Sequence, residues 1–192
     1  MVVRGYITGV TSTSAWTAYN KGERNFCGNE LADGLRKNEK LPEPIITPST
    51  KAAQGEHDES VAPSELYKRG VIDPGLYKEL AKISMRLYER GVSRAADQGL
   101  IFVDTKYEFG ISKGKIMLMD EVNTPDSSRY WISEDYEKRF EKDEEPRKLD
   151  KEYVRTWLAD KGFTGDGKPP KLTDKLRVEA SARYMEVVEA FT

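Results

Sequence analysis

Residues 100–122 read LIFVDTKYEFGISKGKIMLMDEV, and this stretch decides the fold of the chain. Two runs rich in β-branched, aromatic and long apolar side chains, LIFVDTKYEFGI and IMLMDEV, lie on either side of the polar segment SKGK. Runs of this kind that flank a short glycine-containing segment predict a β-hairpin. The chain is therefore expected to contain antiparallel sheet.

Helices are predicted on both sides of this hairpin. Residues 75–98 repeat apolar side chains at helical spacing, with Asp73 as N-cap, Pro74 in the first turn and Gly99 as the stop. A last helix is predicted from Thr173, its N-cap, to Phe191. Helices and antiparallel strands in this order predict an α+β fold, which we expect to form a single domain over residues 1–192.

Two polar segments are interpreted differently. Residues 40–65 contain four prolines and few apolar side chains, so they are predicted to form a long functional loop. Residues 134–152 carry 15 charged side chains in 19 positions, which is typical of a solvated helix face.

Composition excludes several classes of protein. The 31 basic and 33 acidic side chains give a net charge of −2, which argues against a protein that coats nucleic acid. One cysteine and one histidine exclude a disulfide framework and any metal site built from several Cys or His ligands. The chain lacks an apolar run of the ~20 residues that span a bilayer, and its start does not resemble a secretory signal, so a cytoplasmic location without membrane contact is expected.

The first strand of the predicted hairpin carries three ionisable side chains in alternate positions, Asp104, Lys106 and Glu108. Alternation along a strand places them on one face, and burying them unpaired would cost several kcal/mol. They form either an exposed strand face with alternating charges or part of a binding site.

A second acidic group, Asp120-Glu121, ends the other strand of this hairpin. Because Mg²⁺ takes one or two carboxylates together with phosphate oxygens, Glu108 and Asp120 are candidates for a metal–nucleotide site. A shared ion requires a register such as 108 opposite 120. A two-residue Lys113-Gly114 turn would instead pair 108 with 119 and turn Asp120 to the other face.

Further polar groups suit an anionic ligand. In NTPDSSRYW, residues 123–131, a Thr-Pro-Asp turn precedes Ser127, Ser128 and Arg129, which offer hydroxyls and a guanidinium to phosphate. An ordinary capped turn is the alternative. Arg4 and the Ser/Thr-rich loop of residues 8–14 could also hold an anion, and Arg155 is either part of such a site or a plain surface arginine.

The single histidine and the single cysteine are weaker candidates. His57-Asp58 could act as a general base, but with no nucleophile signature nearby we favour a structural or substrate-positioning role. Cys27 has no activating neighbours in sequence and is expected to be inert.

Four segments together, VVRGYITG, LPEPIITPSTKAAQGEHDE, VDTKYEFGI and DEVNTPDSSRYW, resemble the phosphoribosylaminoimidazole-succinocarboxamide synthase (SAICAR synthase) family. The resemblance covers nearly the whole chain, and DTKYEFG followed by DEVNTPDSSRYW is its most specific part. It implies an ATP- and Mg²⁺-dependent ligase of purine biosynthesis that joins L-aspartate to carboxyaminoimidazole ribonucleotide, releasing ADP and phosphate.

The resemblance also implies roles for individual residues. Glu108 and Asp120 would hold the nucleotide and Mg²⁺, while Asp104 and Lys106 would meet the carboxylate and amino end of the imidazole nucleotide. The grip on its ribose phosphate and neighbouring groups would come from Arg4, Ser14, Ser128, Arg129 and Arg155, with Ser12 as the alternative to Ser14. Near the aspartate or nucleotide substrate would lie Lys51, His57 and Asp58.

One departure from the family is large. Its members carry an N-terminal β-rich lobe with a glycine-rich hairpin over the ATP phosphates, whereas VVRGY stands almost at the start of this sequence. We therefore expect a fragment, or one chain of a split enzyme with the lobe as a separate partner chain. The alternative is a nucleotide- or phosphate-binding module without ligase activity. A homo-oligomer is compatible with either.

Overall fold

The computed structural model describes residues 1–11, 13–50, 59–163 and 167–192. Its centre is an antiparallel sheet formed by β1 (Val2–Ile7), β4 (Glu39–Thr47), β5 (Leu100–Lys106) and β8 (Ser128–Ile132). The strands lie in the order β4–β1–β5–β8, which places β1 and β5 in the middle. Two small antiparallel pairs lie outside this sheet, β2 (Asn25–Phe26) with β3 (Asn29–Glu30) and β6 (Glu108–Ser112) with β7 (Lys115–Met119).

Strand β4 corrects the prediction of a continuous functional loop over residues 40–65. It pairs with β1 from Val2 opposite Thr47 to Ile7 opposite Glu39, with an irregularity between Arg4 and Tyr6. Pro42 and Pro44 lie in this irregular part of β4, on the edge of the sheet. Proline removes a backbone donor, and edges and bulges are the positions where a sheet tolerates that loss. The prolines therefore mark an edge strand.

The predicted hairpin is also corrected, because its first strand is two strands. β5 belongs to the central sheet, and β6 begins a separate hairpin with β7. The division falls at Tyr107, whose ring is fully buried and whose backbone exchanges two hydrogen bonds with Met1, both 2.8 Å long. These contacts hold Tyr107 to the central sheet, so the chain turns away only after it.

Two long helices cover one face of the central sheet. α3 (Pro74–Ala96) begins at Asp73, whose Oδ1 accepts hydrogen bonds from the backbone of Gly75 and Leu76, as predicted for an N-cap. It buries Ser84, Tyr88, Gly91 and Ala95. α6 (Asp174–Phe191) begins after Thr173 as predicted and contributes Val187 to the same core as Val3, Phe102 and Tyr130.

Shorter helices complete the fold. α4 (Tyr136–Glu141) packs Tyr136 on the opposite face of the sheet, against Tyr6, Val103 and Trp131. α1 (Ala15–Asn20) joins Ile7 and the β2–β3 pair in a third apolar cluster. α2 (Pro63–Lys68) and α5 (Glu152–Asp160) follow loops. Helices mixed with antiparallel strands confirm the α+β prediction. Among the described residues, no helix is both long and apolar enough to cross a membrane.

The charged segment 134–152 does not form one solvated helix. Only Tyr136–Glu141 is helical up to the start of α5, and the chain then returns along β8, where Leu149 donates a backbone hydrogen bond to Tyr130. Asp150 and Glu152 are each 2% exposed. The end of this segment is therefore interior. Burial of its carboxylates is tolerated because they have buried cationic and backbone partners.

Candidate functional site

A cleft of about 270 Å³ opens over the row where β1, β5 and β8 run side by side. Its walls carry hydroxyls, cations and carboxylates, with very few apolar side chains. The residues around it are Val2, Arg4, Thr11, Thr13, Ser14, Ser49, Ser60, Asp104, Thr105, Lys106, Asp126, Ser127, Ser128, Arg129, Asp150, Lys151 and Arg155. Seven of the predicted site residues, Lys106 among them, thus line one cleft.

The floor of the cleft is a row of alternating charges across three strands. Asp104 of β5 lies opposite Arg4 of β1 and opposite Arg129 of β8. Its Oδ2 accepts a short hydrogen bond from Arg129 Nη1 and lies 3.5 Å from Arg4 Nη1. Opposite charges on directly facing strand positions attract, so the row is favourable as built.

A β-bulge creates this alignment. Between Phe102 and Asp104 the pairing of β5 with β8 shifts by one residue. Phe102 packs in the core with Tyr130, while Val103 lies in the apolar cluster on the other side of the sheet. Strict alternation would direct Asp104 to the same side as Phe102, and a bulge re-aims the side chains that follow it. The bulge therefore allows Asp104 to face Arg129 in the cleft.

Arg4 is a buried cation with several partners. It is 7% exposed, and its Nε donates a 2.8 Å hydrogen bond to Thr47 Oγ1 at the end of β4. Its guanidinium lies 5.8 Å from the centre of the Phe26 ring. Burial lowers the pKa of Arg4, and the charge of Asp104 acts in the opposite direction. Arg4 is thus fixed before any ligand arrives.

Arg129 is held from its other side by Glu152. Arg129 Nε donates to Glu152 Oε2 at 2.9 Å, and Nη2 lies 2.8 Å from the same oxygen. Burial acts to lower the pKa of Arg129, but the charges of Asp104 and Glu152 raise it overall. For Glu152, burial acts to raise the pKa, and Arg129 and Arg155 lower it overall. Both groups are therefore ionised at neutral pH.

Asp150 connects β8 to α5. Its Oδ2 accepts a hydrogen bond from the backbone of Tyr130 at 3.2 Å, and its Oδ1 accepts one from the backbone of Glu152 at 2.8 Å. Burial raises the pKa of Asp150 to about 7, although Arg129 acts to lower it. This residue and Glu152 are site residues that the sequence analysis missed, since a run of charges gives no sign of which members are interior.

The loop after β1 forms one wall of the cleft. Ser14 is the N-cap of α1: its Oγ accepts from the backbone of Thr17 at 3.2 Å, and it is 2% exposed. Gly9 has φ +105°, and a Cβ there would lie 2.5 Å from Ser14 Cβ and 3.1 Å from Arg129 Nη2. Only glycine lets this loop approach Arg129 so closely. Ser14 lines the cleft, and Ser12 lies outside the described residues.

Ser128 and the turn before it form another wall. Ser128 Oγ donates to Thr105 Oγ1 at 2.8 Å, joining β8 to β5 beside the charged row. Thr124 Oγ1 accepts from the backbone of Ser127 at 3.1 Å, which is the capped turn predicted as the alternative interpretation. A turn that caps its own backbone still places Ser127, Ser128 and Arg129 at the cleft. A capped turn and a phosphate-binding segment are therefore compatible interpretations of residues 123–131.

In the described part of the chain, three cationic side chains lie at the opening. Lys106 Nζ lies 2.8 Å from Glu108 Oε1, and Lys151 Nζ lies 3.3 Å from Asp126 Oδ2. Arg155, on α5, lies with its Nη1 3.6 Å from Glu152 Oε1. A dianion that enters the cleft would meet these cations at the rim and two buried arginines at the floor.

Glu108 and Asp120 lie on the separate hairpin, outside this cleft. Glu108 pairs with Met119, which is the register of a simple two-residue turn and not the 108–120 register that a shared metal ion requires. Asp120 follows the end of β7 with φ +63°, so strand alternation does not set the direction of its side chain. Within the described residues no three Asp, Glu, His or Cys side chains are grouped to hold a metal ion.

The remaining predictions concern other parts of the chain. Lys51, His57 and Asp58 lie outside the described residues. Cys27 is a buried free thiol, and burial raises its pKa to about 11, which agrees with the expected inert thiol.

The fold and the cleft are those of a protein that binds an anionic ligand: an α+β domain with paired arginines, hydroxyls and lysines around a concave polar pocket. The sequence pattern of the SAICAR synthetase family matches residues 1–171. The chain therefore belongs to the SAICAR synthetase family.

Individual relatives agree with this assignment. Phosphoribosylaminoimidazole-succinocarboxamide synthase of Bacteroides thetaiotaomicron is 50% identical over 100% of this chain and 60% of its own length. The chloroplastic synthase of Arabidopsis thaliana is 48% identical over 100% of this chain and 46% of its own length. The chain thus spans about 60% or less of these two relatives.

Solved structures show the same fold. The SAICAR synthase of Saccharomyces cerevisiae complexed with SAICAR has a TM-score of 0.77 and 34% identity, covering 100% of this chain and 58% of its own. A SAICAR synthetase in complex with ADP has a TM-score of 0.66 and 26% identity, covering 100% of this chain and 61% of its own.

Proposed function

We propose that this chain supplies the ribonucleotide pocket of an ATP-dependent ligase that joins L-aspartate to carboxyaminoimidazole ribonucleotide, giving SAICAR, ADP and phosphate. The observation that carries the proposal is the buried row Arg4–Asp104–Arg129 beneath a cleft with cations at its rim. Charge-assisted hydrogen bonds from guanidinium groups are suited to phosphate. The family and the SAICAR complex of the yeast relative point to the same ligand.

The ribose phosphate would be held by Arg4, Ser14, Ser128, Arg129 and Arg155, all of which line the cleft. Asp104 and Lys106 would meet the carboxylate and amino end of the imidazole. Since Asp104 Oδ2 already contacts both buried arginines, the same carboxylate would position them and face the substrate. For Lys51, His57 and Asp58 we retain a role near L-aspartate or the nucleotide as part of this proposal.

The chemistry requires little of a protein nucleophile. In this family the substrate carboxylate is activated by transfer of the γ-phosphoryl group of ATP, and the amine of aspartate then displaces phosphate. Such a reaction depends on positioning and on neutralising charge, which preorganised cations supply. Lys106, Lys151 and Arg155 at the rim are placed to offset the negative charge of the reacting groups.

ATP and Mg²⁺ would bind on the side of the β6–β7 hairpin. The relative solved with ADP supports the use of an adenine nucleotide. Glu108 and Asp120 are the residues that would hold Mg²⁺, which is served by one or two carboxylates when phosphate oxygens and water complete its coordination. That ion would offset phosphate charge during transfer. The register of the hairpin gives no support to a shared ion, so either carboxylate alone is the simpler arrangement.

The test is formation of SAICAR and release of ADP with all three substrates and Mg²⁺. Because the relatives extend beyond the matched 60% of their length, we expect the 192 residues alone to bind the ribonucleotide but to release ADP slowly. Addition of the remaining part of a relative, as a separate chain, should raise the rate. Failure to bind the ribonucleotide would contradict the proposal. Binding without turnover under every condition would favour a phosphate-binding module without ligase activity.

We also propose that this protein is located in the cytoplasm.

A further inference from the structure

The two oxygens of the buried Glu152 carboxylate have different partners. Oε2 contacts Arg129 twice, at 2.9 Å from Nε and 2.8 Å from Nη2. Oε1 is buried and has no hydrogen-bond partner among the described residues, and Arg155 Nη1 lies 3.6 Å from it. Oε2 thus has two arginine donors, and Oε1 lies just beyond hydrogen-bond distance of a second arginine.

The backbone at the start of α5 does not depend on this side chain, because Asp150 Oδ1 accepts the hydrogen bond from the backbone of Glu152. A buried acceptor without a partner destabilises the folded state, and more so when it is charged. A side chain retained at such a cost calls for an explanation in the cleft that it adjoins.

Arg155 is less buried than Arg129. The side chain of Arg155 is 41% exposed, whereas that of Arg129 is 13% exposed and is fixed by Asp104 and Glu152. An inward shift of Arg155 by under about 1 Å would bring Nη1 within hydrogen-bond distance of Oε1. Arg155 lines the cleft together with Arg129, so a negative charge there attracts both guanidinium groups.

We infer that Glu152 is a positioning residue that couples Arg129 and Arg155: it orients Arg129 and receives Arg155 when a phosphate group occupies the cleft. The carboxylate between the two guanidinium groups offsets their mutual repulsion, so both approach one anion. The inference rests on the proposed function only in that the ligand of the cleft carries a phosphate group.

A double-mutant cycle of Glu152→Gln and Arg155→Ala tests this coupling. Glutamine keeps the shape of the side chain and an acceptor for Arg129 but removes the charge that draws Arg155 inward. Calorimetric titration with carboxyaminoimidazole ribonucleotide and, separately, with inorganic phosphate gives the affinities. We expect Glu152→Gln to weaken binding about 10-fold in the original chain and less than about 2-fold when Arg155 is alanine. Glu145→Gln removes another partly buried, lysine-paired carboxylate, away from the cleft, and should leave both affinities unchanged.

The outcomes separate the inference from the proposed function. If the chain binds inorganic phosphate but not the ribonucleotide, the proposed function fails and the cycle with phosphate still decides the role of Glu152. Equal losses from Glu152→Gln with and without Arg155 would overturn the coupling and indicate a structural role. A urea unfolding curve for each variant identifies any loss of affinity that arises from unfolding. A chain that binds neither ligand would overturn both.

Discussion

Replacement of Arg129 by alanine should destabilise the whole fold and not only the cleft. The guanidinium is 13% exposed and contacts two carboxylates that are 6% and 3% exposed, Asp104 and Glu152. Removing one partner of a buried ion pair costs about 3–5 kcal/mol, since the other charge is left uncompensated. Arg4 and Arg155 remain 3.5 and 3.6 Å from these carboxylates and offset part of this loss. We therefore expect a loss of about 3 kcal/mol, at the low end of that range.

Urea unfolding followed by circular dichroism measures this loss. With a slope of about 2 kcal/mol per M, a loss of about 3 kcal/mol lowers the midpoint by about 1.5 M. Arg69→Ala is the matched control, because Arg69 forms its 3.0 Å ion pair with Glu59 between side chains that are 45% and 58% exposed. Exposed pairs contribute about 0–1 kcal/mol. A midpoint for Arg129→Ala no lower than that of Arg69→Ala would refute the buried cluster as a source of stability.

Three further predictions concern single positions. Thr173→Ala should cost about 1 kcal/mol, measured by urea unfolding, since it removes the Oγ1 acceptor at the start of α6; an unchanged midpoint would contradict the cap. Gly9→Ala should weaken ribonucleotide binding by at least about 10-fold, because its φ of +105° and its closeness to Ser14 forbid a Cβ; unchanged affinity in a titration would show that the loop relaxes. Burial raises the folded-state pKa of Asp150 to about 7 from an unfolded value near 3.8, so between these values the folded state holds the proton. The free energy of unfolding should therefore fall as pH rises from about 4 to about 7. If that free energy changes with pH between 5 and 7 in the same way in Asp150→Asn, the assignment to Asp150 is contradicted.

The sequence predicted the structural features that are specified by residues close together in the chain. Thr173 and Asp73 cap the two long helices as expected, because a cap is recognised from side chain and backbone within a few residues. The sequence left two registers open for the hairpin, and the observed one is that of the two-residue Lys113-Gly114 turn, with 108 opposite 119, because turn length sets register. These features depend on short stretches of chain.

Features that depend on distant strands were not predictable in this way. The prolines of β4 indicated a loop, and only its position at the edge of the sheet makes them compatible with a strand. The bulge that turns Asp104 towards Arg129 has no signal in the alternation of LIFVDTK. Asp150 and Glu152 belong to a run of charges, and only the return of the chain along β8 separates these interior carboxylates from the solvated ones.

If the cleft recognises the phosphate of a ribonucleotide, removal of that phosphate must weaken binding. Calorimetric titration of the chain with carboxyaminoimidazole ribonucleotide and with the same compound lacking its phosphate isolates that contribution. A charge-assisted phosphate contact contributes about 1.5–3 kcal/mol, so the ribonucleotide should bind roughly 10- to 150-fold more tightly than the riboside. Equal affinity for the two compounds would contradict the account.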